Sequence, residues 1–158
     1  MKFADFISIK AIRAELAASD KESVITELVQ SLLDAGEVNA ADKDDIIAAI
    51  LKREDLGSTG IGRGVAVPHT KHTSVQKLVG TVGVSSEGVD FNSLDGEKVQ
   101  LFFLLVSPPE RPGDHLRALE NISRQLRDDT FCRFLKQSKT IEDIQQLLDE
   151  ADNNQFGS

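Results

Sequence analysis

Three histidines, one arginine and a serine–threonine pair are the side chains here whose types and spacing suit them to chemistry. His69 closes the run GSTGIGRGVAVPH over residues 57–69, in which four glycines feed a short apolar segment that stops at Pro68. Val65-Ala66-Val67 is too short for a helix and rich enough in β-branched residues for a buried strand. Pro68 fixes its own φ and removes a donor, so His69 should emerge at the mouth of that strand. Such a position lies at the crevice above the sheet, where α/β proteins carry their ligands. A neutral imidazole there is a nucleophile near its ordinary pKa of about 6.5.

The other candidates each have an ordinary explanation beside the functional one. His115 falls in the first turn of a helix that opens at Asp114. A ring able to become cationic is slightly unfavourable at a positive helix end unless an anion sits nearby, and helix N-termini bind anions readily. Arg53 closes a helix, where a cation complements the macrodipole, and alone it signals nothing. Ser58 and Thr59 can either hydrogen-bond an anion or simply hold the glycine-rich turn.

Several chemistries are disfavoured by context. The glycine run precedes a strand instead of following one, and it lacks both GxGxxG and GK[ST], so a nucleotide-phosphate loop does not fit. His69, His72 and His115 could supply three imidazoles to a metal, yet HxxH across a proline-ended strand is a weak pattern and Lys71 is an unhelpful neighbour. No G-x-S-x-G occurs, and no ordered triad can be drawn. Cys132, the single cysteine, lies beside Phe131 and Phe134 and reads as an inert buried thiol.

The elements that must position these residues follow from patterning. At 158 residues and 40% hydrophobic content, one core is expected, over residues 1–152, with a flexible tail over 153–158. Phe3–Ile9 reads as a short helix or turn and Ala11–Ala18 as an early strand. A helix begins after Ser19, which with Glu22 has capping-box spacing, and buries Val24, Ile25, Leu28, Val29, Leu32 and Leu33 before stopping at Gly36. A second covers about Ala41–Asp55 and buries Ile46, Ile47, Ile50 and Leu51. Leu78–Ser85 should be a strand, Ser86–Gly96 a loop with one or two short extended pieces, and Val99–Val106 a central strand covered on both faces. After the break SPPERPG, a helix over Asp114–Arg127 buries Leu116, Leu119, Ile122 and Leu126. Short helices over Thr130–Gln137 and Ile141–Ala151 complete the chain, the last capped by Thr140.

The net charge of −8 argues against nucleic acid as a partner, since phosphate neutralisation needs a basic surface. No stretch is apolar enough for a signal peptide or a membrane span, and one cysteine suits a reducing compartment. A soluble, cytoplasmic protein is expected.

The segment EDLGSTGIGRGVAVPH, residues 54–69, resembles the active-site region of type-2 enzyme IIA domains of the bacterial phosphoenolpyruvate-dependent phosphotransferase system, the fructose, mannitol and nitrogen-regulatory group. Glu54, Ile61, Gly62, Val65, Ala66, Val67, Pro68 and His69 fall in that family's order. Thr70 departs from it, standing where Gly or another small residue is usual. GDHLRALENISRQL and DDTFCRFLKQSKTIEDI extend the resemblance over nearly the whole chain. It implies a single-domain, three-layer α/β/α sandwich with a mixed sheet, and a phosphotransferase working through a phosphohistidine. By the same resemblance His69 is the phosphoryl acceptor, His115 the second active-site histidine and Arg53 the active-site arginine, while Ser58, Thr59 and loop amides can complete a phosphate cradle. His72 receives no role, and neither metal nor nucleotide is required. The implied donor is phosphorylated HPr or an HPr-like carrier. The recipient is an enzyme IIB in a sugar branch, or a regulatory target in the nitrogen branch. A stand-alone organisation, with no attached IIB, IIC or HPr segment, is expected, and with STGIG before the acceptor this favours a nitrogen-regulatory reading over a fructose-type one. A non-catalytic or metal-binding module is the remaining alternative.

Overall fold

The computed structural model describes residues 1–154. Its organising element is the strand β5 (Val99–Ser107), every residue of which is buried apart from Gln100. Alternation along β5 divides the interior in two. Leu101, Phe103 and Leu105 face one core, and Phe102, Leu104 and Val106 face the other, as the period of two in a strand demands.

Two helices cover the second face, α1 (Lys21–Asp34) and α2 (Lys43–Asp55). Three cover the first: α3 (Pro112–Gln125), α4 (Asp129–Gln137) and α5 (Ile141–Asp152). The result is the expected three-layer α/β/α sandwich.

The sheet is mixed. β4 (Val79–Val89) runs antiparallel along one edge of β5, in register from Val79 opposite Val106 to Val84 opposite Leu101. Along the other edge lie two short parallel strands, β2 (Val65–Ala66) and β3 (His69–Lys71), and β1 (Gly60–Gly62) folds back antiparallel on β2. β2 and β3 are one strand interrupted at Val67-Pro68. Pro68 has no N–H for the ladder, but its carbonyl still accepts from Leu105 N at 3.0 Å. The turn between β1 and β2 puts Arg63 at φ 58° between Gly62 and Gly64. Asp95 accepts from its amide, and the Lys136 ammonium donates to its carbonyl.

Several local expectations are corrected. No regular strand forms over residues 11–18. Ile9–Ala11 is a 3-10 turn, after which single bridges at Arg13 and, upstream, at Ile7 attach the N-terminal segment to β4. Asp20, not Ser19, caps α1, accepting from Ser23 N at 2.9 Å. Leu33, Ile47 and Leu51 are half-buried. The extended piece expected after Ser86 is not separate: β4 continues to Val89 past an irregularity. α3 starts two residues early, with Pro112 at its first position, where the missing N–H is not needed. Its Leu116 is 65% exposed, because the buried stripe of α3 runs through His115, Ala118 and Ile122, and Phe134 is 42% exposed, because α4 buries Phe131, Cys132 and Leu135. Thr140 does cap α5, accepting from Asp143 N at 3.1 Å. Of the tail expected over 153–158, residues 155–158 lie outside the described residues.

The β4–β5 pairing allows no side chain at Gly80, whose Cβ would come within 2.7 Å of Leu105 Cδ2 and 2.9 Å of the Leu104 carbonyl. Gly80→Ala should lower stability by about 1–3 kcal/mol in urea denaturation, the range for overpacking. An unchanged midpoint would contradict this close approach.

Candidate active site

The site gathers at the C-terminal ends of the parallel strands. His69 begins β3 opposite Leu105, two residues short of the end of β5. Its Nδ1 lies 2.7 Å from the carbonyl of Val67. A carbonyl only accepts, so Nδ1 carries the proton and Nε2 keeps its lone pair. The half-buried ring is thus held in one tautomer by the interruption in its own strand.

His115 stands beside it. The ring centroids are 5.2 Å apart, with planes inclined at 61°. Ser107, the last residue of β5, bonds His115 Nδ1 at 2.5 Å. β5 therefore seats both rings, one through its ladder to β3 and one through Ser107. His115 is only 6% exposed. Burial, with smaller contributions from His69 and Lys71, pushes its pKa down to about 4. His69 is also shifted down, chiefly by burial, with the Arg53 charge adding to the fall and the Val67 bond and Glu54 opposing it. Burial thus favours the neutral form of both rings.

Arg53 comes from the last turn of α2. One guanidinium nitrogen donates to the Gly57 carbonyl at 2.8 Å, fixing the fork over the loop that precedes β1. The remaining donors are not committed to that bond. Next to it, Glu54 turns inward and is 5% exposed, accepting from the Thr59 amide at 3.2 Å and from the Thr59 hydroxyl. Ser58 donates its hydroxyl to the Phe91 carbonyl at 2.7 Å. The hydroxyl protons of Ser58 and Thr59 are thus used to tie the loop to Phe91 and to Glu54 of α2, the turn-holding alternative of the two that their sequence position left open.

His72 is occupied elsewhere. Its Nε2 meets Asp45 at 2.5 Å and its Nδ1 meets the Ser74 hydroxyl at 2.6 Å, tying the chain after β3 to α2. Thr70 pairs with Val106 in extended register, so the β-branched side chain fits β3. Cys132 is buried, donates to the Leu126 carbonyl at 3.2 Å and has its pKa raised by burial. A separate cleft of about 460 Å³ beneath the β1–β2 turn is lined by Arg63, Gln100, Asp129, Arg133 and Lys136.

The family model described as "Phosphoenolpyruvate-dependent sugar phosphotransferase system, EIIA 2" matches residues 5–151. The chain belongs to this family. A nitrogen regulatory protein of Bradyrhizobium diazoefficiens is 34% identical over 148 residues, covering 94% of this chain and 95% of that protein. A fructose-specific EIIA component of Haloferax volcanii is 32% identical over 143 residues, 90% of this chain and 92% of that one. The crystal structure of nitrogen regulatory protein IIA-Ntr from Neisseria meningitidis superposes with a TM-score of 0.83 at 26% identity, covering 92% of this chain and 98% of its own. Members of the EIIA 2 family are phosphotransferase system components. Among the described residues no helix is long and apolar enough to cross a membrane.

The depressed histidines make stability depend on pH. Below an unfolded pKa of 6.5, the unfolded chain takes up protons that the folded rings refuse. For His115, stability should therefore fall as pH drops from about 6.5 towards 4, by up to about 1.4 kcal/mol per pH unit, and His69 adds a contribution of the same sign. His115→Gln should flatten that dependence in urea titrations. NMR should find the His115 ring of the unaltered protein still neutral at pH 5.5, and titration of that ring near 6.5 would refute its desolvation.

Proposed function

We propose that this EIIA 2 protein is a phosphoryl carrier that accepts a phosphoryl group on His69 Nε2 from phosphorylated HPr or an HPr-like carrier. The observation that carries this reading is the bond from His69 Nδ1 to Val67, which leaves Nε2 as the lone-pair nitrogen of a ring whose centroid lies 5.2 Å from that of His115. Attack by that lone pair forms a P–N bond at His69 as the donor's P–N bond breaks and its electrons return to the donor ring. One phosphoramidate replaces another, so transfer is close to reversible. Positive charge growing on the His69 ring is shared through Nδ1–H with the Val67 carbonyl.

Phosphoryl transfer depends mainly on positioning and on stabilising charge over three oxygens. Arg53 supplies planar donors and His115 a neutral N–H. Loop amides complete the cradle, and Ser58 and Thr59 serve it by holding the loop in shape. No metal or nucleotide enters the step.

The nitrogen-regulatory role is favoured, supported by the two nitrogen-regulatory relatives, each matched over at least nine-tenths of its length. In that role the carrier acts by binding targets differently in its two charge states. The fructose-specific relative supports a second reading, in which the group passes on to an enzyme IIB.

Incubation with enzyme I, HPr or its nitrogen-branch relative, and phosphoenolpyruvate should yield an acid-labile phosphoryl adduct by intact mass. His69→Ala should abolish it, and persistence there would defeat the assignment. Arg53→Met and His115→Ala should slow uptake about 10- to 100-fold with the adduct site unchanged. Onward transfer to a fructose-type IIB would move the protein to the sugar branch.

A further inference from the structure

Two charged residues sit at the wrong ends of their helices. Lys21 is the first residue of α1, where the macrodipole is positive, and Glu54 lies in the last turn of α2, where it is negative. Neither placement is favourable by itself, and both side chains are withdrawn from water, at 22% and 1% exposure. They meet at 2.8 Å between Nζ and Oε2.

The lysine does more than neutralise one carboxylate. Its ammonium also lies 3.4 Å from the Phe91 carbonyl, within donating range, and 4.7 Å from the centroid of the Phe91 ring. Its three donor directions thus find a carboxylate, a carbonyl and an aromatic face. Both oxygen partners grip the active-site loop. Glu54 holds the Thr59 amide and hydroxyl, and the Phe91 carbonyl holds the Ser58 hydroxyl.

From Thr59 the path continues to the reacting ring. The Thr59 carbonyl accepts from Val67 N at 3.0 Å, and the Val67 carbonyl accepts from His69 Nδ1. We infer that Lys21 is a positioning residue for phosphoryl transfer: through Glu54, Thr59 and Val67 it fixes the carbonyl that selects the tautomer and tilt of His69. Its effect is mechanical, since a buried carboxylate without its cation must turn towards water or another donor and release Thr59.

This inference rests on His69 being the acceptor, and its test has a readout that needs no donor. At pH 7.5, ¹⁵N-resolved NMR of the unaltered protein should show His69 as the Nδ1–H tautomer. In Lys21→Met, which keeps the aliphatic stem, the tautomers should mix, and phosphoryl uptake should slow about tenfold or more, because small misplacements of reacting atoms have large effects on rate. Thr140→Ala, which removes the cap of α5 at about 1 kcal/mol, serves as the control for lost stability alone and should keep both the tautomer and the rate. A folded Lys21→Met protein with one His69 tautomer and a rate within about twofold of the parent would overturn the proposal. If that variant does not fold, Lys21→Gln is judged by the same two readouts. Failure of the unaltered protein to take up phosphate would instead count against the acceptor assignment, and the tautomer comparison would still decide the role of Lys21.

Discussion

A single hydrogen bond, from the His69 ring to the carbonyl two residues before it, makes the imidazole usable. Without it either nitrogen could carry the proton, and the lone pair would be presented only part of the time. The bond is possible because Val67 faces away from β5, its N–H meeting Thr59 while the Pro68 carbonyl serves β5, so the Val67 carbonyl is left for the ring. Proline makes the break by lacking a donor, while its own carbonyl keeps the chain attached to Leu105. The fold beyond the site holds that interruption still.

β5 supplies most of that stillness. Its alternate residues feed two separate cores, so shifting the strand would disturb both helical layers together. It also ends on Ser107, which bonds His115. The distance between the two imidazoles is therefore set by the most deeply buried strand in the molecule, and the loops around them need only tune orientation. Burial has an electrostatic result as well, since it favours the uncharged form of both rings.

Much of this was legible in the sequence because it is written in short-range patterns. The apolar run Val99–Val106, the capping residue Thr140 and the Gly-rich approach to Pro68-His69 all specify structure through neighbours a few residues away. The apposition of His69 and His115 was legible only through the family resemblance, since no local rule links positions 46 residues apart. Leu116 misled because spacing alone cannot say which of two helical stripes faces inward, and the inner one of α3 includes a histidine and an asparagine. Ser58 and Thr59 have the composition of an anion cradle, but what their hydroxyls do depends on Phe91 and Glu54, one distant in sequence and the other on the preceding helix. Lys21 escaped notice although a trace of it was visible: a lysine at the start of a helix and a glutamate at the end of another are each slightly misplaced, and only the fold shows that the two anomalies answer each other.

The interrupted strand has one more consequence. The His69 ring hangs from a short segment at the rim of the sheet, while the residues behind it are locked into two cores that a surface modification does not reach. Adding a doubly negative group to the ring would repaint the local potential and leave the scaffold's outline as it was. Any protein that distinguishes the two forms must then do so by sensing electrostatics across a patch of constant shape, and its preference should weaken as salt screens that patch.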